Sequence, residues 1–356
     1  MCCKQRIART AVSLFFTALL LVGLLTCADY GLPCDEPAEQ VILQENMHEY
    51  AFRLLGADSS AVHWYENRGI QRISESVEKD HGQSAYYLFM PVLAKFWDQP
   101  HVLSILWKMY TWLWLMLGCG AIYGFCRETG MNRFVSCVGV LLLYLCPRFF
   151  AEGHYNNKDM VLLTLMLCSL WQGVRFLKKP GFVRGMLLSL TGALAANTKI
   201  VGALAWGLMG VAAIVLVTAN RQWNRRMAAV AVSTVACFAA FYTLVTPAAW
   251  ADPLGYLKYL LINASGFTRW TGVVVFRGMV FDHDVNPLPR YYLIWMMLVT
   301  LPLYVVPLAV IGQLSALWRA WKQKAQALHD PISLAHAAAS LCWFLPLLVP
   351  ARPKFW

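Results

Sequence analysis

The chain of 356 residues is 59% hydrophobic and only 14% charged, well under the roughly 25% charge of a soluble domain, which excludes a water-soluble globular fold. Its net charge of +11 comes from 30 basic against 19 acidic residues, and their placement accounts for that excess without a nucleic-acid partner. The apolar residues fall in long blocks instead of alternating ten-residue segments, so helices are predicted and a β-barrel is not.

Nine spans are predicted in chain order, near 11–28, 104–125, 134–147, 160–174, 185–197, 200–219, 227–246, 291–313 and 333–350. Only Asn197-Thr198-Lys199 separates the fifth from the sixth. Lys4, Arg6 and Arg9 precede the first span and place the N-terminus in the cytoplasm. Alternation then puts Arg127 and Arg133, the group Arg175, Lys178, Lys179 and Arg184, the group Arg221, Arg225 and Arg226, and Arg319, Lys322 and Lys324 inside as well. Among the acids only Glu128 and Asp330 join them there, and the spans themselves read as nearly free of charge. An excess of basic residues in short inner loops is the charge pattern of a cell membrane protein. Basic residues of the outer loops are also expected to attract anionic lipid phosphates.

The first span has the basic and apolar regions of a signal peptide, but it is long for one and no A-x-A-like site follows, so an uncleaved anchor is expected. Past it, Tyr30-Gly31-Leu32-Pro33-Cys34 leads at once to Asp35-Glu36. Carboxylates at a membrane edge are costly without a partner and mark candidate function. They can equally cap the next helix, with Pro37 in its first turn. The first outer loop, 30–103, is too long to lack helices of its own. Residues 36–55 carry helical spacing and are expected to lie in the interface with the apolar face towards lipid. Trp64, Tyr65 and Trp97 read as an interface belt.

After the third span, Arg148-Phe149-Phe150-Ala151-Glu152-Gly153-His154-Tyr155-Asn156-Asn157-Lys158-Asp159 leads into the fourth. Asp159 repeats the placement of Asp35, with a helix cap as its alternative. Arg148 and Lys158 read as phosphate contacts or as snorkelling anchors. Lys199, alone in a tight turn between apolar spans, requires a counter-charge. His81, His154 and Asn157 are further site candidates. The other large outer loop, 247–290, carries Gly and Pro turns, the stretch Leu288-Pro289-Arg290-Tyr291-Tyr292 with Arg290 as a headgroup contact, and Asn263-Ala264-Ser265, a match to the N-glycosylation acceptor. Asp282-His283-Asp284 reads as a solvated turn before a metal site. Of eleven cysteines, Cys119, Cys137, Cys146, Cys168, Cys237 and Cys342 lie within or beside spans as small apolar residues, and no zinc spacing occurs. The chain stops within a new outer loop, Ala351–Trp356, as a truncated C-terminus would.

Tyr30–Pro37, Pro147–Asp159, Thr198-Lys199-Ile200-Val201-Gly202, Thr246–Pro253, Phe276-Arg277-Gly278 and Leu288–Tyr292 follow one another along most of the chain. As an ordered set this pattern resembles the GT-C glycosyltransferases. More narrowly, it resembles the branch of dolichyl-phosphate-mannose protein mannosyltransferases and the lipid A aminoarabinose transferase, although it lacks their C-terminal spans and soluble part. The resemblance implies a single all-α polytopic domain over 1–356, a polyprenyl-phosphate sugar as donor, inversion at the anomeric carbon, and an acceptor hydroxyl on protein, lipid or glycan. It assigns the base to Asp35 with Glu36 beside it, and the second acid to Asp159. It implies no metal cofactor for this branch, although metal-dependent relatives exist. The chemistry is consistent with the residues: a carboxylate can take the acceptor proton, and Arg148, Lys158, Lys199 and Arg290 can meet the leaving phosphate. A transporter or flippase, a non-catalytic envelope-glycan scaffold, and a polysaccharide polymerase or ligase are the competing expectations.

Overall fold

The computed structural model describes residues 2–265, 273–282, 286 and 288–348. Helix α1 (Cys2–Thr26) runs into a short 3-10 turn and a non-helical segment that delivers α2 (Glu36–Leu55). Pro37 in the first turn of α2 has no N–H to lose there and a φ suited to a helix start. Gly56, at φ +89°, stops the helix with its N–H on the Phe52 carbonyl. The remainder of the first loop holds α3 (Ser60–Glu66) and α4 (Met90–Phe96) before α5 (Pro100–Glu128).

Asn132 caps α6 (Arg133–Tyr144) through the Val135 N–H. The expected straight helix over 134–147 is instead bent by 70° into α7 (Pro147–Tyr155). A residue before proline is driven out of helical geometry, and Cys146 is accordingly extended at φ −72°, ψ 114°. Then come α8 (Asp159–Lys178), α9 (Phe182–Thr198), α10 (Ala203–Ala219) and α11 (Arg225–Val245). The outer segment after them forms α12 (Pro253–Ser265) and a hairpin of β1 (Val274–Phe276) and β2 (Met279–Phe281), in the register Val275↔Val280. Arg277 and Gly278 both have positive φ at its turn. The chain ends with α13 (Tyr292–Thr300), α14 (Val305–Gln323) and α15 (Pro331–Leu348). The predicted span over 291–313 is broken between α13 and α14 by 112°. The cause is the same, since Leu301 precedes Pro302 and is extended at ψ 145°.

The protein is therefore a predominantly helical integral membrane protein. Among the described residues, five helices are long and apolar enough to cross a bilayer, and seven if each bent pair is one span. The predicted tight turn at 197–199 does separate two helices. The first of them, α9, has 17 residues, about 25 Å at 1.5 Å per residue, and it packs between α8 and α11. Gly185 permits that approach, because a Cβ there would sit 2.3 Å from Thr234 Oγ1. Ser189 Oγ closes the contact by donating to the Thr234 carbonyl at 2.6 Å.

The two sets of predicted loops collect at opposite ends of the bundle. At one end Gly82 N–H donates to the Asn197 carbonyl at 3.1 Å, Tyr87 Oη donates to the Val245 carbonyl at 2.8 Å, and Lys199 pairs with Asp159. At the other, Lys178 Nζ lies 2.8 Å from Glu128 Oε2, and His329 meets Asn220. Helix α2 lies across the first end with Val41, Leu54 and Leu55 outward. Its polar side is buried, comprising Glu36, Glu39, Gln44, Glu45, Asn46, His48 and Glu49. Tyr65, predicted in the interface belt, is instead buried and stacked on His48.

Candidate functional site

The charged groups of the first end converge from four segments. On α2, the Glu39 N–H donates to the Asp35 carbonyl, so the two residues stand one helical turn apart on one face. Asp35 is exposed, and its side chain makes no capping bond. Cys34 Sγ is a weak donor to its Oδ1 at 3.5 Å. The capping alternative is therefore not what the carboxylate does. Glu39 is buried and was not singled out by the sequence. The signal for it was its spacing, three residues after Glu36 and four after Asp35.

Glu39 is the hub of a cross-segment network. His81 Nε2 lies 3.1 Å from its Oε2, and Lys158 Nζ lies 3.8 Å from its Oε1. Gln83 Nε2 also donates to Oε2. Lys158 Nζ is 3.2 Å from His81 Nδ1, a contact in which the ammonium can only donate. Asn157 is buried behind this group and reaches Gln83 Oε1 at 3.5 Å. Glu78 Oε2 approaches His81 Nδ1 at 3.6 Å.

A second pair adjoins the first. Asp159 accepts from Lys199 and, at 3.2 Å, from Asn156 Nδ2. The capping role, the alternative for Asp159, falls to Asn156, whose Oδ1 accepts the Asp159 N–H at 2.8 Å. Asn197 ties the turn before Lys199 into the same end. Its Oδ1 accepts from Ser84 N–H, and its Nδ2 donates to the Val245 carbonyl and to Thr246 Oγ1.

The electrostatics follow from this packing. Burial opposes charge on Glu39, but His81 and Lys158 outweigh it and hold the carboxyl below its ordinary range. Burial likewise opposes charge on His81, and Glu39 overcomes it, so the imidazole is held above its usual value. Lys158 is pushed down by burial, which Glu39 only partly offsets.

The remaining candidates lie elsewhere. Glu36 is buried beneath Asp35, and burial pushes its carboxyl up against the smaller opposing effects of Ser104 and Lys108. Arg148 pairs with Glu152 on its own helix at 2.9 Å. His154 is fully buried, stacked between Tyr30 at 4.2 Å and Trp112 at 4.4 Å, with Nδ1 2.8 Å from the Phe150 carbonyl and Nε2 3.1 Å from both the Gly23 carbonyl and Thr26 Oγ1. That is a packing role. Arg290 is exposed at the turn before α13. Lys108, within a span read as uncharged, is buried in α5.

Comparison with protein-family models, curated proteins and solved structures gives no match. The chemistry of the site therefore rests on its own geometry. Among the described residues no three His, Cys, Asp or Glu side chains are grouped for a metal ion. His283 and Asp284 of the Asp282-His283-Asp284 motif lie outside the described residues, as do Ala351–Trp356. Asn263, in the glycosylation pattern, is half-buried on α12 and donates its amide to Asp80 Oδ2 at 3.2 Å, so a glycan there would cost that bond.

One exposed carboxylate thus stands a helical turn from a buried acid, which in turn meets a histidine and a lysine. A second acid–lysine pair adjoins them through Lys158 and Asp159, which are consecutive in the chain. The arrangement offers an exposed carboxylate and, at the same end, two lysines whose partners are carboxylates that an anion can displace.

Proposed function

We propose that this protein is a GT-C-like glycosyltransferase that moves a sugar from a polyprenyl-phosphate donor to an acceptor hydroxyl. The observation that carries the reading is the exposed, uncapped Asp35 one helical turn from the Glu39–His81–Lys158 network. Asp35 takes the acceptor proton as the hydroxyl oxygen bonds to the anomeric carbon. The bond from that carbon to the phosphate oxygen breaks on the opposite face, which inverts the centre. The phosphate leaves with the electron pair, and Lys158 and Lys199 stabilise its charge, drawn from their carboxylate partners. Asp159 holds Lys199 ready for that exchange.

In this reading the chain spans the cell membrane nine times, with both bent pairs, α9 and α15 each counted as one. The basic loops at the Glu128 end face the cytoplasm, and the site faces outward at the level of the lipid phosphates. The acceptor is a protein, lipid or glycan hydroxyl.

The test is transfer from a panel of polyprenyl-phosphate sugars into membrane extracts, comparing the wild type with Asp35→Asn and Asp159→Asn at matched protein levels. Asp35→Asn is expected to lose about 10²–10⁴-fold in rate, the usual weight of a general base. Equal rates for wild type and Asp35→Asn would sink the mechanism. A lipid or glycan transporter is the second reading, favoured by the buried Lys108 and the broken α13–α14 pair. It predicts movement of labelled lipid across proteoliposomes with no covalent transfer.

A further inference from the structure

Lys108 lies about two turns into α5 and is 4% exposed. A buried ammonium is costly unless partners surround it. One of its protons goes to the Tyr30 carbonyl at 2.9 Å. Glu36, itself 1% exposed, is a carboxyl that feels its charge. Glu36 Oε1 accepts from Gln40, while Oε2 is buried with no hydrogen-bond partner among the described residues. Ser104, one turn before Lys108 on α5, also has a buried hydroxyl with no hydrogen-bond partner there, and it lies beside Glu36.

These contacts have a consequence for the chain between them. Residues 31–33 are without helix or strand, and Leu32 and Cys34 are exposed. The bridge from Tyr30 to Glu36 is therefore held at its two ends. At the first end the Tyr30 ring stacks on His154 while its carbonyl accepts from Lys108. At the second end the buried Glu36 carboxyl feels the charge of the same ammonium. Asp35 rides on the bridge immediately before that second attachment.

We infer that Lys108 is the positioning residue for Asp35, acting from inside the membrane bundle through the Tyr30 carbonyl and the Glu36 carboxylate. The inference rests on the reading of Asp35 as the base. Lys108 touches neither donor nor acceptor in this role. It fixes where the base stands, and Glu36 supplies its counter-charge.

The experiment compares Lys108→Met, Lys108→Arg, Glu36→Gln and the double variant Glu36→Gln/Lys108→Met with the wild type in membranes. It reads kcat and KM for the active polyprenyl-phosphate sugar, together with the rate at which an impermeant maleimide labels Cys34. A Cys34→Ser chain serves as the labelling blank. Lys108→Met is expected to lower kcat by about 10²-fold, the scale of a 1 Å misplacement, with donor KM little changed and the Cys34 rate altered. Lys108→Arg is expected to restore both readouts. The double variant is expected to accumulate better than Lys108→Met, because it leaves no unpaired buried carboxylate.

Wild-type kcat in Lys108→Met overturns the inference. So does a raised KM at constant kcat, which would make Lys108 a direct donor contact, and so does an unaltered Cys34 rate. Should Lys108→Met fail to accumulate, Glu36→Gln decides by the same readouts: a lower kcat with altered labelling supports the anchor, and wild-type values overturn it. A wild-type chain that transfers no sugar overturns the transferase reading alone, and the labelling still decides whether Lys108 holds the bridge.

Discussion

The two ends of the bundle carry their charges in different ways. At the Glu128 end the ion pairs join the ends of two helices and are solvated: Lys178 to Glu128 at 2.8 Å and Arg175 to Glu128 at 4.0 Å, with side chains 32–39% exposed. At the Asp35 end the Glu39–His81 pair is desolvated, each side chain only 7% exposed. Solvated pairs contribute little to stability and serve topology. Desolvated groups cost several kcal/mol to assemble, a cost that the solvated pairs do not carry.

Four changes break or sharpen this contrast. Glu39→Gln keeps the shape but leaves Lys158 and His81 without their carboxylate. An unfolding loss of about 3 kcal/mol is expected, the low end for a broken buried pair because Lys158 is partly exposed. Denaturant titration in detergent or nanodiscs measures it, and a loss under about 1 kcal/mol would place the network with the surface pairs. Gly82→Ala comes next. Its Cβ would sit 2.3 Å from the Asn197 amide, which holds Ser84, Val245 and Thr246. Overpacking there is expected to cost about 1–3 kcal/mol, read as a lowered Tm.

The pH dependence is the third. Glu39 has its folded value depressed, so its contribution is present above about pH 4.3 and is lost as pH falls through that lower folded value. His81 has its folded value raised, so its contribution is full below about pH 6.5 and is lost as pH rises through the higher folded value. Stability from this pair is therefore greatest between about pH 4.3 and 6.5. His81→Gln is expected to flatten the alkaline limb of a Tm–pH curve, and an unchanged limb would refute the assignment. The smallest effect is expected from Glu128→Gln, about 0–1 kcal/mol. A larger loss in thermal unfolding would erase the distinction between the two ends.

The sequence by itself determined the membrane class, the helix at 36–55, the separation of α9 from α10 and the grouping of loops into two sets. These follow from local physics, because apolar length, Pro37, the polar break at 197–199 and the alternation of basic loops are all readable within a few residues. It also flagged His81, Asn157, Lys158, Asp159 and Lys199, whose charge or polarity at span ends is visible without partners. The bends at Cys146 and Leu301 were readable in principle from the prolines that follow them, but apolar length dominated the reading. Only the tertiary structure decided which side chains face one another. Glu39 reads as a solvated helix acid until His81, Gln83 and Lys158 close over it, and Lys108 is lost in an apolar run until the Tyr30 carbonyl is laid against it. His154 and Arg148, equally prominent in the sequence, were turned into the core and onto a neighbouring helical turn. The physical reason is that burial of charge depends on contacts between distant segments, and the spacing within one segment carries no record of what packs against it.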